Sequence, residues 1–164
     1  MRVIGPRVEA GAGAREQGTM DKPIITISQD FAFEAAHCMP KQTRFPGQTQ
    51  IHGHSFTVKM ELKGETNADD GTIENFELVV AKFRDLVMKL DHCFLNDIPG
   101  LDNPTMENIG LWLLNRGLQI DPRLNAVTVG RPTLGQLCRI QIPEKRASLK
   151  DQEPVSFRTS ARAA

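Results

Sequence analysis

The chain's four histidines fall within three short signatures, Phe33-Glu34-Ala35-Ala36-His37, Ile51-His52-Gly53-His54 and Leu90-Asp91-His92. Neutral imidazole is a common metal ligand, and it is the side chain whose ordinary titration lies nearest neutrality. A set of three could therefore hold a metal ion while a fourth, beside a carboxylate, moves protons. His37, His52 and His54 are the candidate ligands; His92, with Asp91 to fix its tautomer and support its charged form, is the candidate acid-base group. Three imidazoles suit zinc, which binds nitrogen at about 2.0–2.1 Å and in catalytic sites keeps a fourth position for water or substrate. The plainer reading of a lone inward histidine is a hydrogen-bonded core residue, and for Asp91-His92 it is favourable placement of His92 at the negative end of a helix dipole.

The elements that must position these groups can be read from periodicity. In a strand, side chains two apart share a face. From Ile51 to Glu65, His52, His54, Phe56, Val58, Met60 and Leu62 fall on one side and Ser55, Thr57, Lys59, Glu61 and Lys63 on the other. From Ile25 to His37 the inward set is Ile25, Ile27, Phe31, Phe33, Ala35 and His37. Pairing these segments antiparallel through the loop 38–51 would bring the three imidazoles together, with Gly53 leaving the opposite face uncrowded. Residues 66–72 read as a turn. Asn75 is the predicted N-cap of a helix whose stripe is Phe76, Val79, Val80, Phe83, Leu86, Val87 and Leu90. Asn103 followed by Pro104 predicts the start of a second helix, with Ile109, Trp112 and Leu113 inward and Gly117 as its stop. Residues 125–130 and 136–142 alternate again, as a hairpin. The predicted fold class is α+β: an antiparallel four-stranded sheet with two helices on one face.

At 164 residues the chain has material for one ordinary domain, and its formal charge is zero, so no global field draws nucleic acid or an anionic membrane. No apolar run approaches the roughly 18–20 residues of a membrane span, and the start has no apolar secretion segment. Cys38, Cys93 and Cys138 are an odd, widely spaced set, which argues for reduced thiols and a cytoplasmic location. The expected organisation is a disordered extension over 1–22, with Met20 as an alternative start, a domain over 23–143, and a disordered tail over 144–164.

With these motifs in place, the chain resembles the 6-pyruvoyl-tetrahydropterin synthase and 6-carboxytetrahydropterin synthase family, most of all its bacterial 6-carboxytetrahydropterin branch. The resemblance is carried by residues 31–37, by His52-Gly53-His54-Ser55-Phe56, by residues 90–101 and by Asn103-Pro104-Thr105-Met106-Glu107-Asn108-Ile109. It implies the tunnelling fold, a homo-oligomer (trimer or hexamer) with active sites between subunits, and zinc on His37, His52 and His54. It further implies a lyase reaction that converts 7,8-dihydroneopterin triphosphate to 6-carboxytetrahydropterin, acetaldehyde and triphosphate, on the route to queuosine. Asp91 and His92 would be catalytic. Thr105 and Glu107 match a segment that holds the pterin, although ordinary helix-start chemistry also explains them.

The sequence departs from the family pattern in three places. The cysteine expected shortly before the H-G-H motif is absent from residues 44–50, which leaves Cys38 as the one thiol in the loop, either a substitute base with a lowered pKa or an inert buried thiol. The V-x-V-x-E-T pattern, whose glutamate anchors the pterin's amino-pyrimidine edge, is here Val127-Thr128-Val129-Gly130-Arg131-Pro132, with Gln136 and nearby carbonyls as alternative partners. Asn75 stands where many relatives have aspartate. These departures keep open a family member with altered chemistry on a related pterin, and a zinc- or pterin-binding module without turnover.

Overall fold

The computed structural model describes residues 23–42, 44 and 46–143; the predicted extension and tail lie outside them. Strands β1 (Ile25–His37), β2 (His52–Gly64), β3 (Cys93–Phe94), β4 (Leu124–Arg131) and β5 (Gln136–Gln141) form one sheet in the order β3-β1-β2-β4-β5. Helix α1 (Phe76–Met88) separates β2 from β3, and α2 (Met106–Ile120) separates β3 from β4. β1 and β2 pair antiparallel along their whole length, from Ile25 opposite Gly64 to His37 opposite His52. The β2, β4 and β5 pairings are also antiparallel.

The sheet therefore has five strands rather than the four expected. The extra one, β3, is two residues long and runs parallel to β1, with Cys93 opposite Ala35. A strand this short shows no alternation that a sequence pattern could reveal.

The core is a single layer between the inner sheet face and the helices. Phe33, Phe56, Val58, Met60, Leu62, Val127 and Val129 from the sheet meet Val79, Phe83, Leu86, Val87, Ile109, Trp112 and Leu113 from the helices. Complete burial of each large side chain contributes about 1.5–3 kcal/mol relative to exposure, so the strand faces and helix stripes specify one another. α1 is capped as expected by Asn75, whose Oδ1 accepts from the Glu77 N–H at 2.7 Å. Phe76 is a correction: it is 51 % exposed, and the packed stripe begins one turn later at Val79.

The start of α2 also differs. Its N-cap is Thr105, whose Oγ1 accepts from the Asn108 N–H at 3.3 Å; Pro104 precedes the helix, and its carbonyl is left outside the helical ladder. Gly117 lies inside α2 rather than ending it. A Cβ there would come within 2.4 Å of Leu124 Cδ2, so this glycine is a point of close helix-to-sheet approach.

One charged cluster joins the loop before α1, the end of α2 and the start of β4. Asp121, 2 % exposed, accepts two bonds from the Arg123 guanidinium, at 3.0 and 2.7 Å, one from the Arg123 backbone N–H at 3.0 Å and one from Lys82 Nζ at 3.0 Å. Glu74 Oε2 accepts from the same Lys82 and Arg123 at 2.6 and 2.8 Å. The Arg123 guanidinium holds the Asp121 carboxyl well below the usual carboxylate range. Asp121→Ala leaves two clustered cations without their central acceptor. We expect a loss of about 3 kcal/mol, near the lower end of values for a broken buried pair because both cations keep partial access to water; equilibrium urea unfolding checks it.

Glu74 is held down to about 2 from its ordinary 4.5, by Lys82 first and then Arg123. The folded carboxyl thus binds its proton more weakly than the unfolded one, so its contribution is complete above about 4.5 and is lost as pH falls towards 2. Wild type should have a higher urea midpoint than Glu74→Gln at pH 6, with the gap closing below pH 4.

Candidate metal centre

The register of the β1 and β2 hairpin builds the site. His37 and His52 are direct partners and Ala35 faces His54, so all three histidines occupy one end of the inner face. Ring centroids are 4.5 Å apart for His37 and His52, 5.2 Å for His37 and His54, and 5.0 Å for His52 and His54. One ligand nitrogen from each lies within 4.8 Å of the others. Phe56 stacks on Phe33 beneath them and meets the His37 ring edge-on at 5.8 Å.

Three contacts fix the roles of the ring nitrogens. His37 Nδ1 donates to the Pro104 carbonyl at 2.8 Å, and His52 Nδ1 donates to the Gln50 carbonyl at 2.9 Å. Carbonyl oxygen only accepts, so both rings carry a proton on Nδ1, which leaves Nε2 as the atom that can ligate. The third contact sets Arg131 Nη1 3.2 Å from His54 Nε2; guanidinium only donates, so this Nε2 is an acceptor too. Burial pushes His37 down to about 4, and burial with the Arg131 charge also lowers His54, which keeps both neutral at physiological pH. His37 Nε2 is buried without a partner among the described residues.

A buried acceptor left unpaired is costly. Three imidazoles with ligand nitrogens within 4.8 Å of one another, two of the rings held by backbone carbonyls, are the supporting arrangement usual around metal-binding histidines. The residues therefore fit a metal ion, with zinc's nitrogen preference matching the donor set.

His37 lines a cavity of about 170 Å³ with Met39, Gln42, Gln48, Thr105, Met106, Glu107 and Arg131. The structure thus brings Thr105 and Glu107 beside the metal candidates. Cys38 is not part of this lining. The chain alternates past the end of β1, so that His37 and Met39 face inward, while the Cys38 backbone is clamped on both sides by Asn96, whose Oδ1 accepts from its N–H and whose Nδ2 donates to its carbonyl, each at 2.9 Å.

Asp91 and His92 stand elsewhere. Asp91 Oδ2 lies 2.8 Å from His92 Nδ1, and Asp91 Oδ1 accepts from the Glu34 N–H at 2.9 Å. That backbone bond first, and His92 second, hold the Asp91 carboxyl below its ordinary range. His92 adopts a left-handed backbone, φ 51°, uncommon for a residue other than glycine and often tied to function. It borders a cavity of about 560 Å³ with Glu34, Ala36, Gly53, His54 and Ser55. Ser55 Oγ donates to Glu34 Oε2 at 2.9 Å on the sheet face opposite the inward set. His92 thus borders a cavity that His54 also lines, while His37 lines the smaller one.

Sequence reasoning did not foresee the Pro104 and Gln50 carbonyls as histidine anchors, nor Gln42 and Gln48 in the lining. Main-chain acceptors have no residue-type signature, and glutamines in a loop carry no periodic signal.

Residues 26–152 match the protein family described as 6-pyruvoyl tetrahydropterin synthase. A 6-carboxy-5,6,7,8-tetrahydropterin synthase of Synechocystis sp. is 36 % identical over 93 residues, covering 53 % of this chain and 70 % of the relative. A dihydroneopterin monophosphate aldolase of Pyrococcus furiosus is 34 % identical over 85 residues, covering 52 % and 68 %. The solved 6-pyruvoyl tetrahydropterin synthase of Caenorhabditis elegans superposes with a TM-score of 0.66 at 19 % identity, over 74 % of this chain and 98 % of that one, which establishes the tunnelling fold. With its motifs in family order on a family fold, this chain belongs to the 6-pyruvoyl tetrahydropterin synthase family.

Proposed function

We propose that residues 23–143 form a zinc-dependent lyase of the 6-carboxytetrahydropterin synthase type, converting 7,8-dihydroneopterin triphosphate to 6-carboxytetrahydropterin with release of acetaldehyde and triphosphate, on the route to queuosine. The observation that carries this reading is the convergence of three imidazoles, their ligand nitrogens within 4.8 Å of one another, with His37 lining the same cavity as Thr105 and Glu107. The relative in Synechocystis sp., named for this activity, supports it. Bound zinc would supply Lewis-acid stabilisation of charge on the substrate's side-chain hydroxyls.

His37, His52 and His54 hold the metal. Thr105 and Glu107 orient the pterin from the head of α2. His92 transfers the proton, with Asp91 fixing its ring through Nδ1 and leaving Nε2 to exchange with substrate. The family resemblance supports a homo-oligomer in which the Asp91 and His92 pair of one copy serves the metal centre of another. β5 supports it as well: it is an edge strand with Leu137 72 % exposed, and an uncovered edge favours pairing with another chain. All three cysteines are unpaired, which fits a cytoplasmic enzyme, and no helix among the described residues is long and apolar enough to cross a membrane. Cys38→Ala should leave turnover within about twofold of wild type, since a general base contributes about 10²–10⁴ in rate and this thiol is off the cavity; a steady-state assay decides.

A second reading, carbon-carbon cleavage of a related pterin phosphate without loss of the phosphate chain, is favoured by the aldolase relative and by Arg131 in place of the expected carboxylate. Incubation of zinc-loaded protein with dihydroneopterin triphosphate, followed by mass spectrometry, separates the two. Acetaldehyde and 6-carboxytetrahydropterin support the first; a cleaved pterin with no free triphosphate supports the second. Pterin binding without turnover of either kind would make the chain a binding module.

A further inference from the structure

Arg131 ends β4 directly opposite Gln136, the first residue of β5. Its Nη2 donates to Gln136 Oε1 at 2.7 Å, its Nη1 reaches His54 Nε2 at 3.2 Å, and its Nε is buried with no partner among the described residues. The guanidinium lines the same cavity as His37 and Glu107, yet no carboxylate among the described residues pairs with it.

Two features of this arrangement are unfinished. A guanidinium has donors and no acceptor, so it cannot pair with the N–H edge of an amino-pyrimidine. Gln136, the neighbouring side chain with an acceptor oxygen, has that oxygen committed to Arg131. Whatever meets Arg131 must therefore bring acceptors. Charge points the same way: a divalent ion on the three imidazoles would place a second cation next to Arg131, with Glu107 the one carboxylate in the cavity lining. An oxyanion answers both demands, because it accepts from the guanidinium's free N–H groups and offsets the adjoining charge.

We propose that Arg131 makes the open side of the three-histidine centre a receptor for an oxyanion, a phosphate or carboxylate group of the substrate, so that anion and metal bind cooperatively. The proposal rests on the metal centre advanced above and narrows its substrate to one that presents such a group beside the metal. Coupling is reciprocal: an anion that tightens zinc is itself tightened by zinc, by a factor of about 5–150 in typical linked sites.

The test measures zinc affinity by chelator competition, with and without inorganic phosphate or acetate, in wild type, Arg131→Gln and Arg131→Lys, with calorimetric titration of each anion. Wild type is expected to bind zinc at least about 5-fold more tightly when the anion is present. Arg131→Gln should bind zinc more tightly than wild type without anion and show no anion enhancement. Arg131→Lys should keep part of the enhancement, which separates charge from a folding defect. Phosphate acting and acetate failing identifies the phosphate chain as the occupant; the reverse identifies a carboxylate. Equal enhancement in wild type and Arg131→Gln overturns the proposal. Should no variant bind zinc, the metal reading of the site fails, and phosphate titration of metal-free protein then decides this inference alone: binding lost in Arg131→Gln sustains it, and binding unchanged or absent in wild type removes it.

Discussion

His37→Ala should abolish stoichiometric zinc binding while leaving the hairpin folded. His37 is 1 % exposed, its Nδ1 is committed to the Pro104 carbonyl, and its Nε2 has no other partner. Loss of a supporting hydrogen bond around a metal typically costs about 10- to 100-fold in affinity; loss of the ligand itself must exceed that, and we expect a deficit beyond about 100-fold. Metal content after dialysis against a chelator of graded strength reads it. The substitution also leaves a void against Phe56, so His37→Gln, which keeps more volume and an acceptor, separates ligation from packing. A variant that retained wild-type zinc affinity would remove His37 from the ligand set, and with it the geometric basis of the proposed reaction.

His92→Asn should reduce turnover by about 10²–10⁴, the usual contribution of a positioned general acid-base group, with zinc content unchanged. Asparagine suits the test because it tolerates the left-handed backbone that His92 adopts better than most residues, so the variant removes the titrating ring without imposing new strain. Turnover within a few-fold of wild type would exclude proton transfer by His92. The two inactive variants also test the assembly. If His92 of one copy serves His37 of another, mixed oligomers of His37→Ala and His92→Asn contain some intact sites, and activity returns on co-refolding. If each chain used its own pair, mixing would restore nothing.

Much of this was legible from residue order. Alternation over Ile25 to His37 and Ile51 to Glu65 placed three histidines on the inner face of a hairpin, and the observed register, His37 against His52, does so. The Asn75 cap and the stripe from Val79 to Val87 were equally clear. These features are local: a two-residue or three-to-four-residue period is written into neighbouring positions and survives any tertiary arrangement that buries one face.

Tertiary structure decided the rest, because it depends on distances between remote segments. The start of α2 shifted to Thr105, which left the Pro104 carbonyl free to orient His37 across 67 positions of sequence. Gly117 proved to be a packing gap against Leu124 rather than a helix stop. A two-residue strand fixed the Asp91 and His92 pair beside Glu34 at the sheet's edge, and β4 carried Arg131 to within 3.2 Å of His54. Sequence alone determined the family, the candidate trio of metal ligands and the hairpin that gathers it, since each rests on a short-range pattern. Where Asp91 and His92 sit, which carbonyls meet His37 and His52, and which cation stands beside His54 were settled only by chain segments meeting in space.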